Sequence, residues 1–319
     1  MPRVAVIGAR GYTGAELLPL LQRHPEFELV AVSSASAKGR AVKDVVPGMD
    51  SCLLRFDEIG PAEVVQTAAD ACVLALPNGA AGAYVEAIDR DQPGMVVVDL
   101  GADYRFDPSW VYGQPERFGD RVAGARRISN PGCYATGAQL AVAPLLDRLA
   151  ATPVVFGVSG FSGAGKKASR KNDPEVLRDN LLPYTLVDHI HEREVSRHLG
   201  REIRFLPHVA PFFRGISLSM ALELDSEARA GELLKHYQAH YSKAPLIEVQ
   251  EPIPEVRDAR NTHRVVIGGF AVSEADRRRV SLVCVLDNLL KGAATQALQN
   301  LNLAFGLEPL AGIDYRERS

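Results

Sequence analysis

The sequence holds few cysteines, no long apolar run and little net charge, and each shortage excludes a class of protein. Four cysteines in 319 residues are too few for a disulfide scaffold, and no C-x-x-C or H-E-x-x-H pair marks a metal site. No apolar run reaches the roughly eighteen residues that a membrane helix needs. The chain enters an apolar strand at once, without the apolar core of a signal peptide, which points to a cytoplasmic protein. A net charge of −3 and a pI near 6.3 argue against nucleic acid or an anionic membrane as the main partner. Repeats and low-complexity segments are absent too. What remains is a 46% hydrophobic chain, long enough to bury two cores and so expected to form two domains.

The N-terminus reads as strand, glycine-rich turn, helix and strand. Val4–Ile7 is apolar, Gly8-Ala9-Arg10-Gly11-Tyr12-Thr13-Gly14 follows, then an amphipathic run with Leu17, Leu18, Leu20 and Leu21, then Phe27–Val32. This is the βαβ context of a dinucleotide fingerprint, spaced G-x-x-G-x-x-G instead of the commoner G-x-G-x-x-G. Gly8 permits the tight turn, Gly11 lets the backbone approach a pyrophosphate, and Gly14 allows close helix packing; Arg10, Tyr12 and Thr13 share that turn. An NAD site usually has an acid at the end of the second strand. This chain has Ser33, Ser34, Ser36, Lys38 and Arg40 there, a set that suits a 2′-phosphate and so favours NADP(H); the alternative is a solvated loop. The unbroken apolar runs Ala71–Leu76 and Met95–Leu100 fit strands covered on both faces of a parallel sheet. Asn78, Asp103 and Arg105 follow their carboxyl ends, where ligands bind. Arg105 is either an anion clamp or a surface salt-bridge partner.

One cysteine stands apart. In Asn130-Pro131-Gly132-Cys133-Tyr134-Ala135-Thr136-Gly137, Pro and Gly break the chain and the run Cys133–Leu149 reads as a helix. Cys133 then lies in its first turn, where unpaired N–H groups and the positive dipole end favour a thiolate. Cys72 and Cys284 fall inside apolar strands, and Cys52 has no evident activating group.

The segment after Cys133 supplies polar candidates. Val154–Val158 runs into Ser159-Gly160-Phe161-Ser162-Gly163-Ala164-Gly165-Lys166-Lys167, a loop able to bring amides and a lysine to an anion. His191 precedes the helical pattern Val195–Leu199, so the dipole is expected to hold a neutral ring able to take a thiol proton; a capping role is the alternative. His208 and Arg214 lie in a segment stiffened by Pro207, Pro211 and Gly215, and Arg214 could grip a carboxylate bidentately. Ser217–Leu224, Val265–Val272 and Val280–Leu286, the last two joined through Arg277-Arg278-Arg279, predict a second, mostly antiparallel sheet that forms an oligomer face. The helix after Asp287-Asn288-Leu289-Leu290-Lys291-Gly292 is expected to return to the nucleotide domain.

These stretches together resemble N-acetyl-γ-glutamyl-phosphate reductase, a relative of aspartate-semialdehyde dehydrogenase. The resemblance rests on Gly8–Gly14, Asp99–Phe106, Asn130–Thr136, Ser162–Lys167, His189–Glu194, Pro207–Ile216 and Asp287–Gln296, with Phe161-Ser162 and Asn78-Gly79 as departures. The Pro-Gly-Cys-Tyr-Ala-Thr block is the most specific part. The resemblance implies an α/β protein with an N-terminal doubly wound, Rossmann-type parallel sheet and an α+β catalytic and dimerisation domain. The expected boundaries are 1–132 with 287–319, and 133–286. It further implies reduction of an acyl phosphate to a semialdehyde in arginine biosynthesis through a Cys133 thioester, with NADPH as hydride donor. His191, or His189 in its place, would manage protons. Arg105, Asn130, Tyr134, Lys166, His208 and Arg214 are the expected substrate contacts, and Asn288 joins the cofactor residues. The expected partners are a small-molecule acyl phosphate and a second copy, as homodimer or homotetramer, with no metal. Action on aspartyl phosphate or on a carrier-linked acyl phosphate, and a non-catalytic NADP-sensing module, are the alternatives.

Overall fold

The computed structural model describes residues 1–315. The chain forms two compact units, Met1–Gly132 with Ala293–Asp314, and Cys133–Gly292.

The first unit is built from β1 (Arg3–Ile7), α1 (Tyr12–Gln22), β2 (Glu28–Ser33), α2 (Pro61–Val64), β3 (Ala71–Leu74), α3 (Gly82–Asp91), β4 (Val96–Asp99), β5 (Val111–Tyr112), α4 (Pro115–Val122) and β6 (Arg127–Ser129). Its six strands run β2-β1-β3-β4-β6-β5, and every neighbouring pair is parallel. The continuous apolar runs are explained by the two covered faces, since successive side chains of a strand point to opposite sides. Val4, Val6, Val73 and Val98 pack on one side with Leu17, Leu18 and Leu298. Ala5, Ile7, Cys72 and Val97 pack on the other with Val85 and Ile88.

The second unit contains α5 (Cys133–Val142), β7 (Val154–Gly160), α6 (Pro174–Leu177), β8 (Leu182–Pro183), α7 (Ile190–Leu199), β9 (Arg204–Ala210), β10 (Ile216–Glu223), α8 (Ala230–His240), β11 (Ile247–Val249), α9 (Val256–Ala259), β12 (Val265–Val272) and β13 (Arg279–Leu286). Its sheet runs β11-β12-β13-β10-β7-β9-β8. Two neighbouring pairs, β11–β12 and β7–β9, are parallel and the other four antiparallel. Helices α5 and α8 lie on one face, where Leu140, Leu218, Phe205, Leu286 and Tyr237 share a core. The opposite face carries Phe156, His208 and Ser219.

Three local expectations need correction. The helix at Cys133 stops at Val142 and continues as a tighter turn over Ala143–Arg148, because Pro144 lacks an N–H and crowds the residue before it. Helix α7 begins at Ile190, earlier than Val195, because His189 caps it. Asp287–Gly292 belong to the second unit, not the first; the side chains of Asp287 and Asn288 are bonded to Arg214 and Ser162 there. A π-helical turn over Leu290–Ala294 then leads into α10 (Thr295–Ala304), which packs on α1, α4 and β4 of the first unit. Residues 316–319 of the expected first domain lie outside the described residues. Among the described residues no helix is long and apolar enough to cross a membrane.

Candidate active site

The glycine-rich turn lies at the carboxyl end of β1. Gly8 has φ of +80°, and a Cβ there would overlap the carbonyl oxygen of Ala75, so no other residue fits. Gly11 is the N-cap of α1 and offers no side chain to the first turn, leaving backbone N–H groups and the dipole for an anion. Arg10, Tyr12 and Thr13 are half-buried around it. This bare helix start fits a dinucleotide pyrophosphate.

The loop after β2 splits the expected 2′-phosphate set. Ser33 is buried, and its hydroxyl accepts from the Ile59 N–H at 3.0 Å and donates to the Ile59 carbonyl at 3.4 Å. These bonds pin the loop at Ile59. Ser34 and Ser36 hold their hydroxyls 3.3 Å apart on the turn Ala35–Ala37, and Lys38 and Arg40 are exposed beside it. Lys38 pairs with Glu58 at 3.2 Å in open solvent, an interaction weak enough for a phosphate to displace.

Beyond β4, several of the polar candidates are tied by hydrogen bonds inside the protein. Asp103 accepts from the Gly79 and Ala81 N–H groups, and Asn78 accepts from Ala102, locking two loops together. Arg105 is buried and donates to the carbonyls of Asn130 and Leu100, each at 3.0 Å. Asn130 is buried as well; its amide donates to Ala293 and its oxygen accepts from Asn300 at 2.9 Å. Asp99, which no motif singles out as a site residue, is wholly buried, and burial pushes its carboxyl up to about 6.

In the second unit, Cys133 is the first residue of α5, whose residues Tyr134–Val142 are all buried. Cys133 itself is half-buried, whereas Cys52, Cys72 and Cys284 are buried. Burial alone pushes the Cys72 thiol up to about 12 and the Cys284 thiol up further. Cys133 is therefore the thiol a substrate can reach. Tyr134, expected to touch substrate, is buried, and its hydroxyl donates to the His208 carbonyl at 2.7 Å. It anchors α5 to β9.

The two histidines of His189-Ile190-His191 divide their duties. His189 caps α7, its Nδ1 accepting from the His191 N–H at 3.2 Å. That fixes the proton on Nε2. Burial, with the Lys171 charge second, lowers the ring to about 4, so His189 is a neutral donor. The His191 ring stands 5.0 Å from that of His189 and 5.7 Å from that of Tyr134, the neighbour of Cys133. Tyr184 completes the group: its ring lies 5.4 Å from His189 and under the Lys171 ammonium. Burial first, then the nearby Cys133 sulfur, push its phenol up. Neither Tyr184 nor Lys171 is visible in the sequence pattern, because β8 is two residues long and no periodicity marks the segment around it.

The remaining candidates have these surroundings. His208 alternates with Phe205 and Val209 and so points to the far face of the sheet, against the Phe156 ring at 4.4 Å. Arg214 is already paired with the carboxylate of the fully buried Asp287, Nη2 donating to Oδ1 at 3.0 Å and Nε lying 2.7 Å from Oδ2. Asn288, expected at the cofactor, donates to Ser162 at 2.9 Å and accepts from the Gly215 N–H at 2.7 Å. Lys166 is exposed at the end of the glycine-rich loop.

Comparison with known proteins agrees with this architecture. The semialdehyde dehydrogenase NAD-binding domain matches residues 3–125, and the semialdehyde dehydrogenase dimerisation domain matches residues 133–288. An N-acetyl-gamma-glutamyl-phosphate reductase of Xanthomonas campestris pv. campestris is 50% identical over 310 residues, covering 97% of this chain and 98% of that relative. Aspartate semialdehyde dehydrogenase II of Vibrio cholerae superposes with a TM-score of 0.78 at 19% identity, over 96% of this chain and 99% of that one. Aspartate semialdehyde dehydrogenase of Candida albicans, solved with NADP, gives 0.73 at 17% identity over 96% and 99%. At such identity these two structures speak for the fold. With both domain families matched and half of all residues shared with a reductase along nearly its whole length, the chain belongs to the N-acetyl-γ-glutamyl-phosphate reductase family within the semialdehyde dehydrogenases.

Proposed function

We propose that this chain reduces N-acetyl-γ-glutamyl phosphate to N-acetylglutamate 5-semialdehyde and phosphate, in arginine biosynthesis, through a thioester on Cys133. The Cys133 thiol gives its proton to His191, whose ring stands beside Tyr134. The sulfur attacks the γ-acyl carbon, the carbon–oxygen bond to phosphate breaks, and phosphate leaves with the electron pair. A bound nicotinamide cofactor supplies the hydride that reduces the thioester carbonyl. The resulting alkoxide is within the chemistry of the His189 Nε2–H, a fixed neutral donor. Collapse of that alkoxide re-forms the carbonyl, breaks the carbon–sulfur bond and returns the thiolate. Lys166, exposed at the end of the glycine-rich loop, is the cation of the second unit suited to the phosphate.

NADPH is the preferred cofactor in this reading, supported by Ser34, Ser36, Lys38 and Arg40 clustering on one turn. The molecule works in the cytoplasm as a homodimer or homotetramer, and the face bearing Phe156, 37% exposed, is suited to bury against a second copy. The observation that carries the reading is the placement of the single reachable cysteine at the start of a buried helix, with the ring of its neighbour Tyr134 packed against His191. The test is phosphate-dependent NADP+ reduction with N-acetylglutamate semialdehyde beside aspartate semialdehyde. Preference for the aspartate compound would overturn the substrate, and activity without phosphate would overturn the reaction.

A further inference from the structure

The Cys133 thiol has a second wall besides its own helix. Gly292 abuts it so closely that a Cβ on residue 292 would lie 2.8 Å from the Cβ of Cys133 and 3.1 Å from the Asp287 carbonyl oxygen. Neither neighbour can give way, one being the root of the nucleophile and the other backbone. Gly292 is reached from Asp287 by a turn that its own N–H closes onto the Asp287 carbonyl at 2.9 Å, running into the π-helical stretch Leu290–Ala294. Such wide turns are uncommon and concentrate at functional sites.

Asp287 holds this turn from within. Its Oδ1 accepts from the N–H groups of Leu289 at 2.9 Å and Leu290 at 3.1 Å and from Arg214 Nη2 at 3.0 Å. Its Oδ2 accepts from the Asn261 N–H and faces Arg214 Nε, both at 2.7 Å. A fully buried carboxylate with so many donors has one favourable arrangement, and breaking a buried ion pair leaves an uncompensated charge. The acid thus sets the start of the turn, and the turn sets where Gly292 meets Cys133.

We infer that Asp287, Arg214 and Gly292 are positioning residues for the Cys133 thiol, transmitting the geometry of the buried ion pair to the nucleophile through the Asp287–Gly292 turn. This rests on Cys133 being the nucleophile. Alkylation by iodoacetamide across pH, followed by peptide mapping, separates the two ideas. Gly292→Ala is expected to slow both Cys133 alkylation and kcat by about 10²-fold, as a displacement on the ångström scale does. The semialdehyde KM should move by no more than about threefold, and cofactor binding should hold. Loss of stability with unchanged alkylation and kcat would overturn the positioning role. If Gly292→Ala does not fold, Asp287→Asn and Arg214→Lys carry the test, with slower alkylation in the same order as slower kcat. Alkylation confined to Cys133 but indifferent to all three changes removes only the positioning role. Labelling of another cysteine in place of Cys133 removes the nucleophile itself.

Discussion

The nucleotide-binding turn and the thiol cluster are built in opposite ways. The turn is made of backbone: Gly8 at positive φ, a glycine N-cap at Gly11 and a helix start without side-chain caps. The thiol cluster is made of side chains delivered by three separate segments, Cys133 and Tyr134 on α5, Tyr184 after β8, and His189 and His191 at the head of α7. A backbone site needs only local conformation, so its residues stand together in the chain. A side-chain site needs packing to assemble it, and its members are scattered.

That contrast is broken most directly at Cys133. Cys133→Ala should lower turnover by more than about 10⁴-fold, as removal of a covalent nucleophile does, while cofactor affinity measured by fluorescence titration stays near wild type. Loss of cofactor binding together with turnover would mean that the two sites are not separable. His191→Ala should follow, reducing kcat by about 10²–10⁴-fold and erasing one limb of the pH–rate profile; a variant with both limbs intact would move the proton role elsewhere. On the loop after β2, Lys38→Ala or Arg40→Ala should raise the NADPH KM about tenfold to a hundredfold, the worth of one charge-assisted contact, and leave NADH kinetics alone. Equal use of both cofactors by the wild type would remove the 2′-phosphate assignment.

Acid stability sharpens the comparison further. The folded state holds His189 at about 4 against an ordinary 6.5, so the unfolded chain binds its proton first and stability falls as pH drops from 6.5 towards 4. Asp99 is raised from 3.8 to about 6 and acts the other way, with stability falling as pH rises across that interval. Urea titrations of His189→Gln and Asp99→Asn should therefore change the pH slope of stability in opposite senses. Slopes that both match the wild type would refute the burial argument. Smallest of all, His208→Ala should leave kcat and KM within about twofold, because its ring faces away from α5. A large rate loss would place the substrate on the wrong face of the sheet in this account.

Legibility in the sequence follows the same division. The parallel sheet could be read from Ala71–Leu74 and Val96–Asp99, continuous apolar runs with no exposed face, and Cys133 from the Pro-Gly break before its helix. Polarity alone is less decisive. Arg214, Asn130, Asn288 and Tyr134 have the chemistry of ligands, but each is bonded to another part of the protein. Sequence shows that a group can donate or accept, and only the fold shows whether an internal partner has already met it. The capping role of His189 is hidden in the sequence for a related reason. Apolar periodicity places the helix start at Val195, whereas the cap that begins α7 at Ile190 is made by an imidazole nitrogen, and His is not among the favoured N-cap residues.

The most direct test of the central claim is to mix the enzyme with N-acetyl-γ-glutamyl phosphate in the absence of any nicotinamide cofactor. Acid quenching and peptide mass mapping then follow, with phosphate release measured in parallel. The account predicts phosphate release matched by an N-acetylglutamyl adduct on Cys133, absent from Cys133→Ala. Turnover of the complete reaction with Cys133 unmodified in the quenched sample, or an adduct formed on a different residue, would contradict it.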